Sequence, residues 1–259
     1  MEITDKVVLV TGANRGLGRE LLEEALRRGA KRVYAGSRQP FNHSDTRVIP
    51  LTLDVTNAAQ TQRAAEQVQT LDILVNNAGV AIYDDLSDRA ALERHLAVNL
   101  FGTYGVTQAL LERLIRSRGA IVNVLSFAAL AALPIIPSYS ISKAAAFSLT
   151  QSLRALLAAP GVKVHGVLAG PLDTEMSRGL EIPKAPPNAV ARAIFDGVER
   201  GEEDIFPDAL SATMAESWNG GAAKAMERQN AGLVAAQRDA SSAKELATAL
   251  LLPSGRAMT

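Results

Sequence analysis

Six short runs rich in Val, Leu and Ile recur through the first 168 residues, with helix-length segments between them. The predicted strands are Lys6–Thr11, Arg32–Ser37, Val48–Leu53, Ile73–Asn76, Ala120–Leu125 and Val162–Leu168. A short seventh follows at Asp204–Phe206. The intervening stretches at 17–29, 57–69, 87–116, 138–159 and 187–200 read as helices. Continuous apolar runs, rather than alternating ones, belong to strands buried on both faces of a parallel sheet. Regular β-α-β alternation then requires right-handed crossovers with helices on both sides of that sheet. The expectation is an α/β fold: one Rossmann-type, doubly wound parallel sheet of about seven strands. No linker divides it, so residues 1–240 are predicted as a single domain and 241–259 as a C-terminal helix or tail. Segment 207–240 has helical composition without clean periodicity.

Composition excludes several alternatives. The chain has 259 residues, with 27 Lys plus Arg against 27 Asp plus Glu, so no basic excess points to nucleic acid or an anionic membrane. It has no cysteine. That removes disulfides, thiolate catalysis and Cys-rich zinc sites, and fits a reducing, cytoplasmic setting. Acidic residues among the first six, ahead of a short apolar run, do not suit a signal peptide. No apolar stretch approaches the roughly 20 residues of a membrane span. His43, His95 and His165 lack partners at metal-ligand spacing, so no metal site is expected.

A glycine-rich turn, Thr11-Gly12-Ala13-Asn14-Arg15-Gly16-Leu17-Gly18, joins the first predicted strand to the first helix. Gly12 permits a tight turn. Gly16 and Gly18 allow close approach of a pyrophosphate and of the helix to the sheet. The helix start offers free N–H groups and the positive end of a dipole to phosphate. A glycine cluster alone is often only a turn; the flanking strand and helix make this one a dinucleotide site. In such sites a carboxylate about 20 residues on commonly holds the ribose 2′-hydroxyl of NAD. Here the second strand ends Ala35-Gly36-Ser37-Arg38, with no carboxylate. Ser37 leaves room for a 2′-phosphate, and Arg15 and Arg38 supply forked donors for it, which favours NADP(H). The competing reading makes both arginines solvated surface residues.

Tyr139 and Lys143 stand four residues apart and share one helix face. A free phenol, with a pKa near 10, supplies little phenolate at neutral pH. A neighbouring ammonium, together with a positively charged oxidised nicotinamide, is expected to lower that pKa and let Tyr139 exchange a proton with a carbonyl or alcohol. Ser126 follows a predicted strand, at the sheet edge where such folds bind ligands, and can hydrogen-bond the same substrate oxygen.

In order and spacing, these residues resemble the classical short-chain dehydrogenase/reductase family, over nearly the whole chain to about residue 207. The turn Thr11–Gly18, with Gly12, Asn14, Arg15, Gly16, Leu17 and Gly18, looks like its cofactor motif. Asn76-Asn77-Ala78-Gly79 looks like the stabilising motif after the fourth strand. The resemblance places Asn99 in a water relay to the active-site lysine and gives Lys143 the nicotinamide ribose. It puts Asp54 and Val55 beside the adenine. It gives Gly170, Pro171 and Thr174 the nicotinamide side, although Ala169 stands where the family usually has proline. It implies hydride transfer between NADP(H) and a carbonyl or secondary alcohol. Ser126 would steady the oxygen, Tyr139 move the proton and Lys143 sustain Tyr139. It also implies a homodimer or homotetramer formed through the helices at 87–116 and 138–159.

The substrate side is expected from the segment after Ser126 and from residues 172–235. Phe127, Leu130, Leu133, Ile135, Ile136, Leu172, Met176 and Leu180 suggest an apolar ketone or aldehyde, with Met214, Trp218 and Met226 as lid candidates. The loop Ser177–Pro187 is expected to close over ligand. Asp84 and Asp85 read as solvated loop charges, and Glu23, Glu24, Arg27 and Arg28 as a solvated helix face. Two other readings stay open: an alcohol or hydroxysteroid-type dehydrogenase running in the oxidising direction, and a non-catalytic NADP-binding sensor.

Overall fold

A computed structural model of the chain describes residues 1–39 and 41–234. The predicted tail at 241–259 and the last residues of the predicted domain lie outside them. Seven parallel strands form one sheet: β1 (Val7–Thr11), β2 (Arg32–Ser37), β3 (Val48–Thr52), β4 (Ile73–Asn76), β5 (Ala120–Val124), β6 (Lys163–Val167) and β7 (Asp204–Ile205). Their order is β3-β2-β1-β4-β5-β6-β7, with Val10 registered against Ala35 on one side and Val75 on the other. The order reverses direction between β1 and β4, which opens a crevice at the carboxyl ends of those strands.

The sequence of β1 explains how both faces are covered. Side chains alternate along a strand. Val8 and Val10 therefore join Leu21 and Leu22 of α1 (Gly16–Arg27) and Ile194 and Phe195 of α6 (Pro187–Arg200). Val7 and Leu9 join Val106 and Leu110 of α4 (Thr103–Ser117) and Leu153 and Leu157 of α5 (Pro137–Leu157). Burial of each such side chain is worth about 1.5–3 kcal/mol, so every β1 position stabilises one layer or the other. α2 (Ala58–Gln67) completes the second layer through Ala64 and Ala65. α6 begins with Pro187 and is followed by Gly201 at φ +76°, the usual asymmetry of helix start and stop.

Three expectations need correction. The predicted helix 87–116 is α3 (Arg89–His95), then a π-helical stretch at Leu96–Gly102, then α4. The wider turns do not interrupt the apolar pattern, so periodicity cannot reveal them; such turns often mark functional sites. The supposed solvated face of α1 is instead an interhelix tie. Glu24 is buried and binds Arg27 and Arg28, and Arg28 reaches Asp196 and Glu199 of α6 at 2.6 Å each. Segment 207–234 is also more regular than its pattern suggests, with α7 at Ala209–Asn219 and a further helix over 222–234.

That last segment is held by charge. Asp204 accepts from Arg154 of α5 at 2.7 Å, Lys224 at 2.7 Å and the Trp218 indole at 2.8 Å. Lys224 and Glu227 pair at 3.0 Å, and Glu227 also binds Arg154. Lys224 is only 1% exposed, so these charges survive burial only because each finds partners. Burial alone would raise the Asp204 carboxyl; Arg154, Lys224 and Trp218 overcome this and hold it below the usual carboxylate range. Trp218 also packs against Phe147 of α5, with ring centroids 5.4 Å apart. It anchors α7 rather than lidding a pocket, and Met226 is exposed.

Candidate active site

The glycine turn emerges from β1 at the crevice. Gly12 and Gly16 take φ of +68° and +53°, where side chains are disfavoured. A Cβ on Gly18 would fall 2.1 Å from the Gly12 carbonyl oxygen, so only glycine lets α1 start so close to β1. Thr11 and Asn77 lock the turn from beneath. Thr11 Oγ1 accepts from the Asn77 and Ala78 amides at 3.0 Å each, while Asn77 Nδ2 donates to the Thr11 carbonyl at 2.9 Å. Asn77 thus braces the turn, in keeping with the stabilising motif that the resemblance implies.

The start of α1 suits an anion. No side chain caps it, and its first turn carries no acidic residue. A Cβ on Gly16 would meet only Thr174, at 3.5 Å or more, so this edge of the turn faces the loop after β6 across a gap. Ser37 is buried at the end of β2, its hydroxyl bound to the Gln39 carbonyl, and Arg38 beside it is exposed. Asp54 accepts from Thr56 N at 2.9 Å and Oγ1 at 2.7 Å; these bonds, with the charge of Arg38, hold its carboxyl below the usual range. Val55 lies against Gly102 of the π-helical stretch. These features fit an adenine nucleotide carrying a 2′-phosphate. Arg15, however, is paired with Glu175, across the crevice mouth.

Ser126 lies just past β5, and its Oγ accepts from the Ala128 amide at 3.1 Å. Its hydroxyl faces the Tyr139 phenol and favours the ionised form. Tyr139 and Lys143 project from the first two turns of α5, which Pro137 starts. Lys143 is buried; its Nζ donates to the Val124 carbonyl at 2.8 Å and stands 5.7 Å from the centre of the Tyr139 ring. Burial pushes the lysine down to about 8 and pushes the phenol up, Ser126 only partly opposing the latter. In the protein alone, removal from water thus outweighs an ammonium beyond contact distance; the expected lowering also counts the charge of the oxidised nicotinamide. A Cβ on Gly79 would lie 3.2 Å from Asn99 Oδ1 and 3.7 Å from Lys143 Nζ, which places Gly79 between them.

Asn99 sits in the π-helical stretch. Its side chain accepts from the Val80 amide at 2.9 Å and donates to the Val80 carbonyl at 3.0 Å and to Ser142 Oγ at 2.9 Å. Ser142 in turn donates to the Tyr139 carbonyl at 2.7 Å. Asp84, read as a solvated charge, instead takes the Ser138 hydroxyl at the start of α5. Sequence reading missed Ser142, Asp84 and the buried His95. For His95 and Ser142 the signal was present as polar residues on faces that the helix pattern turns inward; Asp84 lies in a loop and gave none.

In the loop after β6, Gly170 N donates to Asp208 Oδ2 at 2.7 Å, and a Cβ there would lie 2.6 Å from Asp208 Oδ1. Pro171 follows, and its carbonyl accepts from the Ala185 amide at 2.9 Å. This bond and the Leu172–Ala185 bridge close the base of the loop, while Thr174 caps the short turn Glu175–Ser177. A cavity of about 320 Å³ opens among Asp173, Thr174, Glu175, Arg178, Gly179 and Lys184. Met176 and Ile135 are exposed, whereas Leu130 and Ala129 pack with Phe147 and Leu168 beneath the site. A larger cavity of about 560 Å³ lies beside β7, remote from this chemistry, and its Arg200 and Arg228 already pair with Glu202 and Glu203. No His, Asp and Glu cluster suited to a metal occurs among the described residues.

Comparison with known proteins gives one consistent pattern. The family pattern described as short chain dehydrogenase matches residues 6–184. Short-chain dehydrogenase/reductase 3 of Bos taurus is 33% identical over 221 residues, covering 76% of this chain and 73% of its own. The crystal structure of a short chain dehydrogenase from Burkholderia cenocepacia J2315, in complex with NADP, superposes with a TM-score of 0.80. Identity to it is 40%, over 85% of this chain and 95% of that one. An aldohexose dehydrogenase of Thermoplasma acidophilum, in ligand-free form, superposes at 0.70 with 26% identity, covering 79% of this chain and 92% of that one.

Proposed function

The chain belongs to the short-chain dehydrogenase family, and from that premise we propose that it reduces an apolar ketone or aldehyde with NADPH. It is an oxidoreductase of the short-chain type. When bound, NADPH supplies a hydride from its nicotinamide ring to the carbonyl carbon. The uncapped start of α1, with Gly12, Asn14, Gly16, Leu17 and Gly18, would hold the pyrophosphate; Ser37 and Arg38, joined by Arg15 once released from Glu175, the 2′-phosphate; Asp54 and Val55 the adenine. Ala78, Gly79, Gly170, Pro171 and Thr174 would border the nicotinamide. The Burkholderia relative's NADP and the absence of a carboxylate at the end of β2 both support this cofactor.

The observation that carries the reading is geometric: Ser126, Tyr139 and Lys143 meet at the carboxyl edge of the sheet, with Lys143 Nζ 5.7 Å from the centre of the Tyr139 ring. A protonated phenol is a proton donor, as reduction needs, and Ser126 can steady the carbonyl oxygen that receives the proton. Lys143, near 8, is mostly charged at neutral pH and can favour the phenolate left behind. Asn99 holds the segment after Gly79 and, through Ser142, the backbone of Tyr139.

Exposed Phe101, in the π-helical stretch, and Tyr104, in the first turn of α4, support a homodimer or homotetramer formed through α4 and α5. No helix among the described residues is long and apolar enough to cross a membrane; together with the lack of cysteine this fits a cytoplasmic enzyme.

The test is NADPH consumption with a panel of aliphatic and aromatic ketones and aldehydes. Turnover is expected in wild type, and Tyr139→Phe should lower kcat by about 10³-fold while NADPH fluorescence still reports binding. A Tyr139→Phe enzyme of near-normal kcat would remove the tyrosine as proton donor. The reverse reaction on the product alcohol should gain relative to reduction as pH rises, because oxidation needs the phenolate. A reduction rate that does not fall as pH rises through the titration of the phenol would remove Tyr139 as the proton donor.

A further inference from the structure

His95 is the last residue of α3, one turn before Asn99, and is completely buried. Both ring nitrogens are engaged. Nδ1 lies 2.7 Å from the Ala91 carbonyl, and Nε2 lies 3.0 Å from the Ile82 amide, which donates to it. That pair of partners selects the tautomer with the proton on Nδ1. The ring meets the Tyr139 ring edge-on, with centroids 6.3 Å apart and planes at 72°.

The position of Ile82 gives these bonds their meaning. Residues 79–84 form a strap that begins at Gly79, beside Lys143, and ends at Asp84, which holds Ser138 next to Tyr139. Asn99 binds Val80 at both backbone atoms, and His95 binds Ile82 two residues further on. The same two helix residues therefore fasten the strap at successive inward positions. Asn99 also reaches the Tyr139 backbone through Ser142, while His95 meets its ring. Tyr139 is thus held from main chain and side chain at once, and its hydroxyl must stay within hydrogen-bond reach of both Ser126 and a substrate oxygen. Small displacements there are costly, because proton transfer depends on near-attack geometry.

We propose that His95 is a positioning residue for Tyr139: by fixing Ile82 of the strap that runs from beside Lys143 to Ser138, it sets where the phenol hydroxyl stands relative to Ser126. The inference deepens the carbonyl-reduction reading and rests on it for its kinetic consequence. His95→Phe keeps a ring of similar size but cannot accept from Ile82. His95→Gln can accept from Ile82 through its amide oxygen and donate to Ala91 through its amide nitrogen, without a ring.

Two measurements test it. In turnover, His95→Phe should lower kcat about 30-fold, with KM for the carbonyl and NADPH affinity within about twofold of wild type. His95→Gln should recover most of kcat. The second readout needs no substrate: protein labelled with 3-fluorotyrosine, the Tyr139 fluorine resonance being assigned by its loss in Tyr139→Phe. The pH midpoint of that resonance reports the phenol's surroundings, which besides His95 include the Lys143 ammonium and, through Ser138, the Asp84 carboxylate. A loosened strap admits water to a phenol that burial holds high, so the midpoint should fall by about half a unit or more in His95→Phe and return in His95→Gln. An unmoved midpoint in folded His95→Phe overturns the proposal. So does a glutamine variant no better than phenylalanine in either readout, or a kcat loss matched by an equal loss of NADPH affinity. If wild type turns over no carbonyl but the midpoint moves as stated, the positioning role stands and the carbonyl-reduction reading falls.

Discussion

The two ends of this fold are secured by different physics. At the glycine turn, order comes from the backbone: positive φ at Gly12 and Gly16, an approach at Gly18 that no side chain permits, and short bonds among Thr11, Asn77 and Ala78. At the C-terminal end, the helix over 222–234 is secured by side chains far apart in sequence, with Asp204, Arg154, Lys224 and Glu227 neutralising one another. The first region is prepared to receive a charged ligand and leaves its donors open. The second satisfies its buried charges internally. A binding site and a structural clamp can thus hold similar residue types and be told apart by which polar groups remain free.

That contrast predicts separable failures. The largest effect should come from Lys224→Met, which leaves Asp204 and Glu227 short of a buried partner. Thermal or urea unfolding should show a loss of about 3 kcal/mol, with NADPH affinity of the folded protein within about twofold of wild type. A tenfold loss of affinity would mean that the clamp and the turn are coupled. Gly18→Ala should do the opposite in kind, weakening NADPH at least about tenfold, because the added methyl must displace the Gly12 backbone. Unchanged titration of NADPH fluorescence would show that the turn tolerates the shift.

Arg38→Ala should weaken NADPH by about fivefold and NADH hardly at all, since the arginine is exposed and its bonds to phosphate are partly screened. Equal losses for both would break the 2′-phosphate assignment. The smallest effect is the acid response of the clamp. The folded-state pKa of Asp204 is depressed, so its contribution is fully present above the ordinary carboxylate value of 3.8 and is lost as pH falls through the lower folded value. Unfolding free energy measured from pH 6 downward should therefore fall less steeply for Asp204→Asn than for wild type. Parallel slopes would show that Asp204 contributes no acid sensitivity.

Much of the cofactor side was legible in sequence because its determinants are local. Gly12, Gly16 and Gly18 dictate one turn, a strand precedes it and a helix follows, and the crevice comes with the strand order. Ser126, Tyr139 and Lys143 were legible for the same reason, each lying at a fixed offset from a strand end or helix start, and the structure brings all three together. The sequence did not reveal which polar residues would be spent on structure. Glu24 and Arg28 sit at ordinary surface spacing yet tie α1 to α6, and Trp218 carries the composition of a lid yet serves as an anchor.

Local pattern, then, determined the doubly wound sheet, the phosphate-ready turn and the identity of the Ser-Tyr-Lys set, because backbone conformation and side-chain direction follow from near neighbours. Only the tertiary structure decided that His95 meets the Tyr139 ring, that Asn99 binds Ser142, and that Arg15 meets Glu175. Those outcomes depend on burial and on charges brought together from distant parts of the chain, and neither is encoded in spacing along it.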